Sequence, residues 1–357
     1  MFNFLKQDAF GIDLSDFSVK MARLKKDGEE IFLDNYCRCE IPSGLIEYGE
    51  IKEVDELAEL IKKIFLTAKG KSIKTRNCIA SLPETEAFIQ LLKLPKMKDG
   101  EIAEAVKWET ENNIPLSINE VYFDWQVIQP VKKDLEHTHV LVAAISKKQV
   151  DPYLAVFKKA GLNPLVFEVE SIATARSLIR GGFSSEPVMI VDFGARRTSF
   201  IIFSGSAVQF TASSPISNFS LINDIAQFFD VSEEEARKLK IEIGLDRSRE
   251  DGRVFEALKP GLEELVGKAK NYMDFYRTHG LPDHSETMNI SKIILCGGGA
   301  NLAGLAAFLE NELTVSVELG NPWVNILKGS PGKIPELPYD QSIGYATVLG
   351  LALRGLK

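Results

Sequence analysis

Residues 293–302 are Ile293-Ile294-Leu295-Cys296-Gly297-Gly298-Gly299-Ala300-Asn301-Leu302. The apolar half predicts a buried strand, and the spacing of Leu302, Leu305 and Leu309 predicts a helix directly after the glycines. Glycines let a chain take positive φ and lie close against a ligand, and a helix N-terminus offers free N–H donors. A strand-glycine-helix turn is equally typical of a plain structural connection, so the turn alone does not decide between the two.

Two other segments end a short apolar strand at an aspartate inside a hairpin. Residues 9–24 hold Asp13, and residues 188–203 hold Asp192. Hairpin loops of this kind can wrap the phosphates of a nucleotide, while the two carboxylates face a hydrated divalent metal. For either hairpin alone, an aspartate that caps the turn is an equally good interpretation. Both hairpins, in this order before the glycine turn, favour a nucleotide site.

The bulk composition is that of a globular protein. A chain of 357 residues suits two lobes, and no apolar run reaches the roughly 18 residues that cross a bilayer. Residues 1–8 lack the apolar core of a signal peptide, so we expect no transmembrane insertion. The net charge of −8 argues against nucleic acid as a partner. We expect buried free thiols, and no zinc site, at Cys37, Cys39, Cys78 and Cys296.

Hydrophobic periodicity predicts strands first and helices later in the chain. We expect three strands over residues 9–41, a helix over 53–68 and a strand over 76–82. Further strands are predicted at 88–95, 121–129, 138–145 and 164–168, and further helices at 99–113, 148–160 and almost throughout 217–279. The elements between 84 and 162 form a small α+β unit that interrupts the first half.

The order of these motifs resembles the actin, sugar kinase and heat-shock chaperone ATPase superfamily. In that superfamily a phosphate-one, a phosphate-two and an adenosine motif follow one another, and residues 170–176 and 343–352 stand where it has two connecting helices. Nearly end to end, the chain most resembles the PilM family of type IV pilus assembly, which is related to the cell-division protein FtsA. The most specific matches are residues 11–14, 192–199, 262–277 and 297–305.

The resemblance implies an α/β fold of the actin-like (ribonuclease H-like) type, a two-lobed ATPase with an FtsA-type inserted α+β subdomain. Residues 1–83 and 163–186 would form the first nucleotide-binding lobe, and residues 84–162 the inserted interaction subdomain. Residues 187–357 would form the second lobe, including a mostly helical subdomain over about 217–285.

The resemblance also implies ATP or ADP with Mg²⁺ as the cofactor. Asp13 and Asp192 would hold the magnesium ion through its waters. The phosphates would meet Gly11, Leu14, Ser15 and Lys20 on one side and Gly194, Ala195 and Thr198 on the other. The adenosine would pack against Gly297, Gly298, Gly299 and Asn301. The candidate for orienting the attacking water is Glu170, for which helix capping is an equally good role.

One loop departs from the superfamily pattern. Where relatives carry a Gly-Gly-Gly-Thr type loop, this chain has Gly194-Ala195-Arg196-Arg197-Thr198. Fewer glycines mean fewer close approaches of backbone to phosphate, and the two arginines could face either the triphosphate or solvent. The sequence therefore predicts nucleotide binding with slow or absent turnover, in which a bound nucleotide sets the angle between the lobes.

The function that the resemblance implies is an ATP-binding cytoplasmic scaffold at the inner face of the cell membrane. Its partner would be the N-terminal cytoplasmic peptide of a PilN-like inner-membrane protein, with pilus motor ATPases and self-association as further contacts. Such tails dock as extended peptides. We expect the groove near residues 77–82, 86–94 and 108–115.

Two alternative functions stay open at this point. A small-molecule kinase of the sugar type would need an aspartate base and a substrate-binding insertion, and neither is clearly present. An FtsA-like filament-forming membrane tether would carry an amphipathic membrane helix, and none follows Leu356-Lys357.

Overall fold

The computed structural model describes residues 8–65, 67–70, 73–132, 136–327 and 335–356. The chain begins with the predicted antiparallel meander, and a helix and further strands follow. These elements are β1 (Phe10–Leu14), β2 (Ser18–Asp27), β3 (Glu30–Glu40), β4 (Ile46–Glu47), β5 (Glu50–Ile51), α1 (Val54–Ile64), β6 (Lys69–Gly70) and β7 (Asn77–Leu82). The helix predicted over residues 53–68 ends early, at Ile64, because β6 leaves the helical path to pair with β3.

The next elements build a small antiparallel sheet with one helix on each side of it. They are β8 (Ala87–Pro95), α2 (Asp99–Asn113), β9 (Val121–Ile128), β10 (His137–Ser146) and α3 (Lys147–Lys159). The sheet order is β8-β10-β9. Val106 of α2 packs on one face of this sheet, beside Val140 and Val142. Phe157 of α3 lies in the core of the first sheet, where its ring packs against Phe167.

The chain then returns to the first sheet and crosses to a second one. β11 (Asn163–Val169) completes the order β11-β7-β1-β2-β3-β6, and α4 (Glu170–Leu178) follows it. The second sheet has the order β14-β13-β12-β15-β16. Its strands are β12 (Ser184–Phe193), β13 (Thr198–Gly205), β14 (Ala207–Ser214), β15 (Lys292–Cys296) and β16 (Ser316–Leu319). In both sheets, an antiparallel hairpin has a parallel strand beside its first strand, since β7 flanks β1 and β15 flanks β12.

The remaining helices cover the second sheet and link it to the first. They are α5 (Asn218–Phe229), α6 (Glu233–Ile243), α7 (Arg253–His279), α8 (Leu305–Leu313), α9 (Tyr339–Ser342) and α10 (Ala346–Arg354). α6 begins with a capping box in which Ser232 Oγ accepts from the Glu235 amide and the Glu235 carboxylate accepts from the Ser232 amide. α7 buries Leu258, Leu262 and Leu265 in the core of this half.

The two connecting helices, α4 and α10, pack with their backbones almost in contact. A Cβ atom at Gly350 would lie 1.8 Å from the carbonyl oxygen of Ala173, so glycine is required there. The buried hydroxyls of Thr174 and Thr347 are 2.9 Å apart across the same contact. This close crossing joins the two halves of the chain beside the hairpins that carry Asp13 and Asp192.

The four cysteines are free, as predicted. Cys37, Cys78 and Cys296 are buried in strands, and Cys39 is half-buried. Burial raises the pKa of the Cys37 and Cys78 thiols to about 12, so both are protonated at neutral pH.

Candidate nucleotide-binding site

In the first hairpin, the carboxylate of Asp13 has both a hydrogen-bond donor and a neighbouring cation. Asp13 is the penultimate residue of β1 and is buried, and Ser81 Oγ of β7 donates a hydrogen bond of 2.8 Å to its Oδ1. Lys20 Nζ lies 3.5 Å from Oδ2. The Leu14 amide donates to Ser81 Oγ at 3.1 Å, so the predicted phosphate contact at Leu14 already uses its N–H inside the protein.

The other predicted residues of this hairpin also have partners within the fold. Ser15 donates through both its amide and its Oγ to the carbonyl of Ser18, at 3.0 and 3.1 Å, which closes the turn between β1 and β2. Gly11 lies against α10, where a Cβ atom would be 2.5 Å from the carbonyl oxygen of Val348. Helix packing therefore explains the glycine at this position without a nucleotide.

The second hairpin leaves its aspartate without a donor. Asp192 pairs by register with Ser199 of β13 and with Cys296 of β15. In the described part of the chain, its carboxylate receives no hydrogen bond; burial raises its pKa, Lys20 opposes that effect and Asp13 adds to it. The turns of the two hairpins are in contact, since Arg196 of the second lies over the ring of Phe17 in the first. The charges of Lys20 and Asp13 also act on Asp192, so the two hairpins border one cleft.

The turn of the second hairpin is fixed by its own backbone and by α5. The Gly194 amide donates to the carbonyl of Arg197 at 3.0 Å. The carbonyls of Gly194 and Ala195 accept from the amides of Asn218 and Phe219, each at 3.0 Å. The loop is thus held rigidly at the start of α5.

The structure places the side chain of Thr198, a predicted phosphate contact, in the core. Thr198 is fully buried, and its Oγ1 donates to the carbonyl of Ile216 at 2.7 Å. Side chains alternate between the faces of a strand, so the neighbouring Ser199, which pairs with Asp192, shares the face of Asp192.

The glycine turn packs directly on Asp192. Gly297 has a φ of 83°, and a Cβ atom there would lie 2.4 Å from Asp192 Oδ1. The predicted helix N-terminus is not at the glycines: residues 298–301 form one 3₁₀ turn, and α8 begins at Leu305. The break occurs because Gly304 takes a left-handed conformation before α8.

The glycines and Asn301 differ in what they offer to a ligand. Gly298 is exposed and has open space where a side chain would be, whereas Gly299 lies against the ring of Phe193. Asn301 Nδ2 donates to the carbonyl of Asp340 at 2.8 Å, which ties the turn to α9. Among the predicted adenosine contacts, Gly298 is therefore the one with open backbone.

Glu170 begins α4 and is bound by an arginine of the second hairpin. Arg197 Nη2 lies 2.7 Å from Glu170 Oε2. Burial raises the pKa of Glu170 to about 7, Arg197 opposes that shift, and the charges of Asp13 and Asp192 add to it. The ion pair with Glu170 raises the pKa of Arg197, although burial alone would lower it. Glu170 therefore lies in the same cleft as the two aspartates.

The neighbouring Arg196 is also held inside. Its guanidinium lies over the ring of Phe17, 4.7 Å from the centroid, and its Nε is 4.0 Å from Asp16 Oδ2. Asp16 in turn accepts from the amides of Tyr48 and Gly49, at 3.2 and 2.8 Å. Neither arginine points to solvent; Arg197 pairs with Glu170, and Arg196 lies over Phe17 near Asp16.

The site has members that the sequence analysis missed. Ser81 and Ser199 lie beside Asp13 and Asp192, but only the pairing of strands reveals this. The cleft collects the carboxylates of Asp13, Asp192 and Glu170 together with the cations of Lys20 and Arg197. The carboxylate of Asp192, which accepts no hydrogen bond in the described part of the chain, and that of Asp13, which is paired with Lys20, fit a hydrated magnesium ion. Magnesium prefers oxygen ligands and keeps several of its waters.

A separate groove runs along the inserted sheet. It is a cavity of about 440 Å³ between β9 and β10 on one side and α3, β11 and the start of α4 on the other. Of the three segments near which the sequence predicts a peptide groove, only 77–82 contributes to this cavity, through Leu82. The segment 108–115 lies away from the cavity because α2 covers the opposite face of the sheet.

Comparisons with known proteins identify the fold and the family. The family described as type IV pilus assembly protein PilM matches residues 11–356. The solved PilM-PilN type IV pilus biogenesis complex is 27% identical, with a TM-score of 0.80, over 98% of this chain and 99% of that chain. The cell division protein FtsA of Escherichia coli K12 is 22% identical over 321 residues, covering 82% of this chain and 73% of FtsA.

A solved structure of MreB5 of Spiroplasma citri, bound to ADP, is 12% identical over 97% of this chain and 95% of that chain, with a TM-score of 0.54. This likeness shows a shared fold. The predicted actin-like fold is therefore confirmed, and the chain belongs to the PilM family of type IV pilus assembly proteins.

Proposed function

We propose that this chain is an ATP- or ADP-binding scaffold of the type IV pilus platform that captures the cytoplasmic peptide of a PilN-like membrane protein. The observation that carries the nucleotide part is the packing of the glycine turn on Asp192, on whose carboxylate the charges of Lys20 and Asp13 act. Membership of the PilM family favours the scaffold over a sugar-type kinase or an FtsA-like filament.

Different residues of the cleft would contact the magnesium ion, the phosphates and the adenosine. Asp13 and Asp192 would hold a magnesium ion through its waters, which neutralises phosphate charge when bound. The two hairpin loops, at Ser15 and at Gly194-Ala195, would lie on either side of the phosphates. Lys20 adds a positive charge beside Asp13, and the open backbone of Gly298 would meet the adenosine.

Hydrolysis in this cleft would be slow or absent. Phosphoryl transfer depends on positioning and on electrostatic stabilisation by aimed donors. The amide of Gly194 donates within its own turn, and Glu170 is bound by Arg197. A nucleotide held without rapid turnover would act on the arrangement of the two halves and so on the partner surface.

A thermal-shift experiment tests nucleotide binding. We expect ATP or ADP with magnesium to raise the melting temperature of the wild type, and Asp13→Ala to remove the rise. The matched control is Asp274→Ala on the exposed face of α7, where the carboxylate pairs with Arg277 far from the cleft residues in the chain. A wild-type melting curve unchanged by Mg-ATP would contradict the proposal.

The partner peptide would lie in the groove beside β9. The outer edge of β9 is unpaired in the described part of the chain, because β9 pairs with β10 alone, so a bound strand could extend the sheet. At one end of the groove, the Glu168 carboxylate accepts from Arg176 at 2.5 Å, and Arg354 contacts the same carboxylate. Because Arg176 and Arg354 share the single carboxylate of Glu168, this end of the groove carries a net positive charge. An acceptor group of the peptide could bind there.

Contact with the membrane would be made through this partner. Within the described residues, no helix has the length and apolar character needed to span a bilayer. A PilN-like protein whose short tail is held in the groove would place the chain at the inner face of the cell membrane. Pilus motor ATPases and self-association are further contacts that belong to this proposal.

Fluorescence anisotropy with a labelled N-terminal peptide of the PilN-like protein tests the groove. We expect micromolar or tighter binding to the wild type and a large loss with Ala143→Arg, which would fill the groove. Trp108→Ala is the control, because Trp108 is 63% exposed on α2, at the position where the sequence predicted the groove. Equal loss in both variants, or no binding to the wild type, would contradict the groove assignment.

A further inference from the structure

The pair of Arg197 and Glu170 joins two parts of the cleft that come from different halves of the chain. Glu170 is the first residue of α4, and Arg197 lies in the turn between β12 and β13. Their side chains are 15% and 18% exposed, and the Arg197 Nη2 to Glu170 Oε2 distance is 2.7 Å. A guanidinium at this distance makes a charge-assisted hydrogen bond that fixes the carboxylate in one orientation.

We propose that Arg197 is a latch that withholds Glu170 from water in the cleft, so that the protein holds its nucleotide uncut. This inference rests on the proposed nucleotide site. The ion pair puts Glu170 at the turn of the second hairpin, and the charges of Asp13 and Asp192 act on it. With the nucleotide bound as proposed, its carboxylate would be beside the attacking water. A carboxylate engaged by a guanidinium is a weaker acceptor for that water.

The turn that carries Arg197 is fixed by backbone hydrogen bonds. The carbonyl of Arg197 accepts from the Gly194 amide, and the same turn is fastened to α5 through Asn218 and Phe219. The negative charge of Asp16 also acts on Arg197. Withdrawal of the guanidinium from Glu170 therefore needs either a competing anion or a substitution.

The reaction that the latch would restrain is hydrolysis of a nucleoside triphosphate. The water oxygen bonds to the γ-phosphorus, the bond from that phosphorus to the bridging oxygen breaks, and the diphosphate leaves with that oxygen. Glu170 Oε accepts the hydrogen bond of the attacking water and takes its proton, which passes on to the released phosphate. Arg197 acts through Glu170 and is a positioning residue.

Five proteins test the latch: wild type, Arg197→Gln, Arg197→Lys, Glu170→Gln and the double variant. We expect Arg197→Gln to release phosphate from Mg-ATP about 100-fold faster than wild type, the lower end of what a positioned base contributes. The double variant should return to the wild-type rate because the freed carboxylate is gone. Arg197→Lys should stay near wild type, since the ammonium group also pairs with Glu170.

Two readouts without turnover accompany the rates. In ligand-free protein, Arg197→Gln should lower the melting temperature by several degrees, and it should lower it much less in the Glu170→Gln background, because the pair is already broken there. Equilibrium binding of ATP is measured for every variant, so that phosphate release is compared at saturating nucleotide. Additive effects on the melting temperature, or an unchanged or slower phosphate release with intact ATP binding, would overturn the latch. Absence of ATP binding in the wild type would instead reject the nucleotide site, and the latch with it.

Discussion

The two hairpins share one plan but leave their aspartates in opposite states. In each, an aspartate is the penultimate residue of a strand that has an antiparallel partner on one side and a parallel neighbour on the other. Asp13 accepts from Ser81 and lies beside Lys20, whereas Asp192 has no hydrogen-bond donor in the described part of the chain and a raised pKa. The carboxylate of Asp13 is therefore already paired within the protein, whereas that of Asp192 is available to a ligand.

The difference comes from one position on the parallel neighbour. Ile12 pairs with Ala80, so Ser81 stands next to Asp13, while Cys296 pairs with Asp192. A hydroxyl is a good donor to a carboxylate, and a thiol is a weak one. Burial, with Asp192 nearby, raises the pKa of Cys296, so this thiol stays neutral and does little for the carboxylate.

Removing each charge should change ligand-free stability in opposite directions. We expect Asp13→Asn to destabilise the protein by about 2 kcal/mol, because Lys20 loses its partner and a buried bond weakens. Asp192→Asn should stabilise it by about 1 kcal/mol, because it removes a desolvated charge that Asp13 repels. Urea unfolding measures both, and effects of the same sign would contradict the comparison.

Ser81→Ala should destabilise the protein by about 1–2 kcal/mol, because the Asp13 carboxylate and the Leu14 amide both lose a buried partner. Ser177→Ala serves as the control, since that buried hydroxyl donates to the carbonyl of Thr174 one turn earlier in α4. If the control costs as much as Ser81→Ala, Ser81 has no special role at Asp13.

The stabilisation by Asp192→Asn should depend on pH. The folded pKa of Asp192 lies above its unfolded value, so the folded state keeps its proton longer. Below about pH 4, near the unfolded pKa, aspartate is neutral in both states and the variant should gain nothing. As pH rises through the folded pKa, wild-type stability should fall relative to the variant. Unfolding curves of both proteins between pH 4 and pH 7 test this, and a constant difference would contradict it.

The smallest expected effect is that of Cys296→Ser, which offers Asp192 the donor that Asp13 already has. We expect it to lower the Asp192 pKa and to stabilise the protein by roughly 0.5 kcal/mol at pH 7. In the Asp192→Asn background, which has no carboxylate at this position to titrate, the stability change caused by Cys296→Ser should not vary with pH. If Cys296→Ser changes the free energy of unfolding equally in both backgrounds, the thiol is not the reason that Asp192 lacks a hydrogen-bond donor.

Local pattern predicted the elements well and their contacts poorly. Periodicity placed α2 and the strands of the inserted sheet closely, because amphipathic spacing is a property of neighbouring residues. The sequence did not show that the Thr198 side chain points into the core, because the length and closure of the turn at Gly194 decide which side chain points inward. The side of the inserted sheet that α2 covers, and with it the groove, depends on tertiary packing that spacing does not encode.

The same limit applies inside the cleft. Asp13 and Asp192 were found from the sequence because each follows an apolar strand in a repeated order. Ser81 lies far from Asp13 in the chain, so nothing local indicated it. Arg197 could be seen in the sequence, but its pairing with Glu170 depends on how the two halves meet.

Anomalous diffraction from crystals grown with ADP and manganese, which can replace magnesium, tests the shared cleft most directly. The account predicts one strong manganese peak between the carboxylates of Asp13 and Asp192, with the adenosine beside Gly298, and loss of that peak in Asp192→Asn. A nucleotide bound elsewhere, or a peak away from these carboxylates, would contradict it.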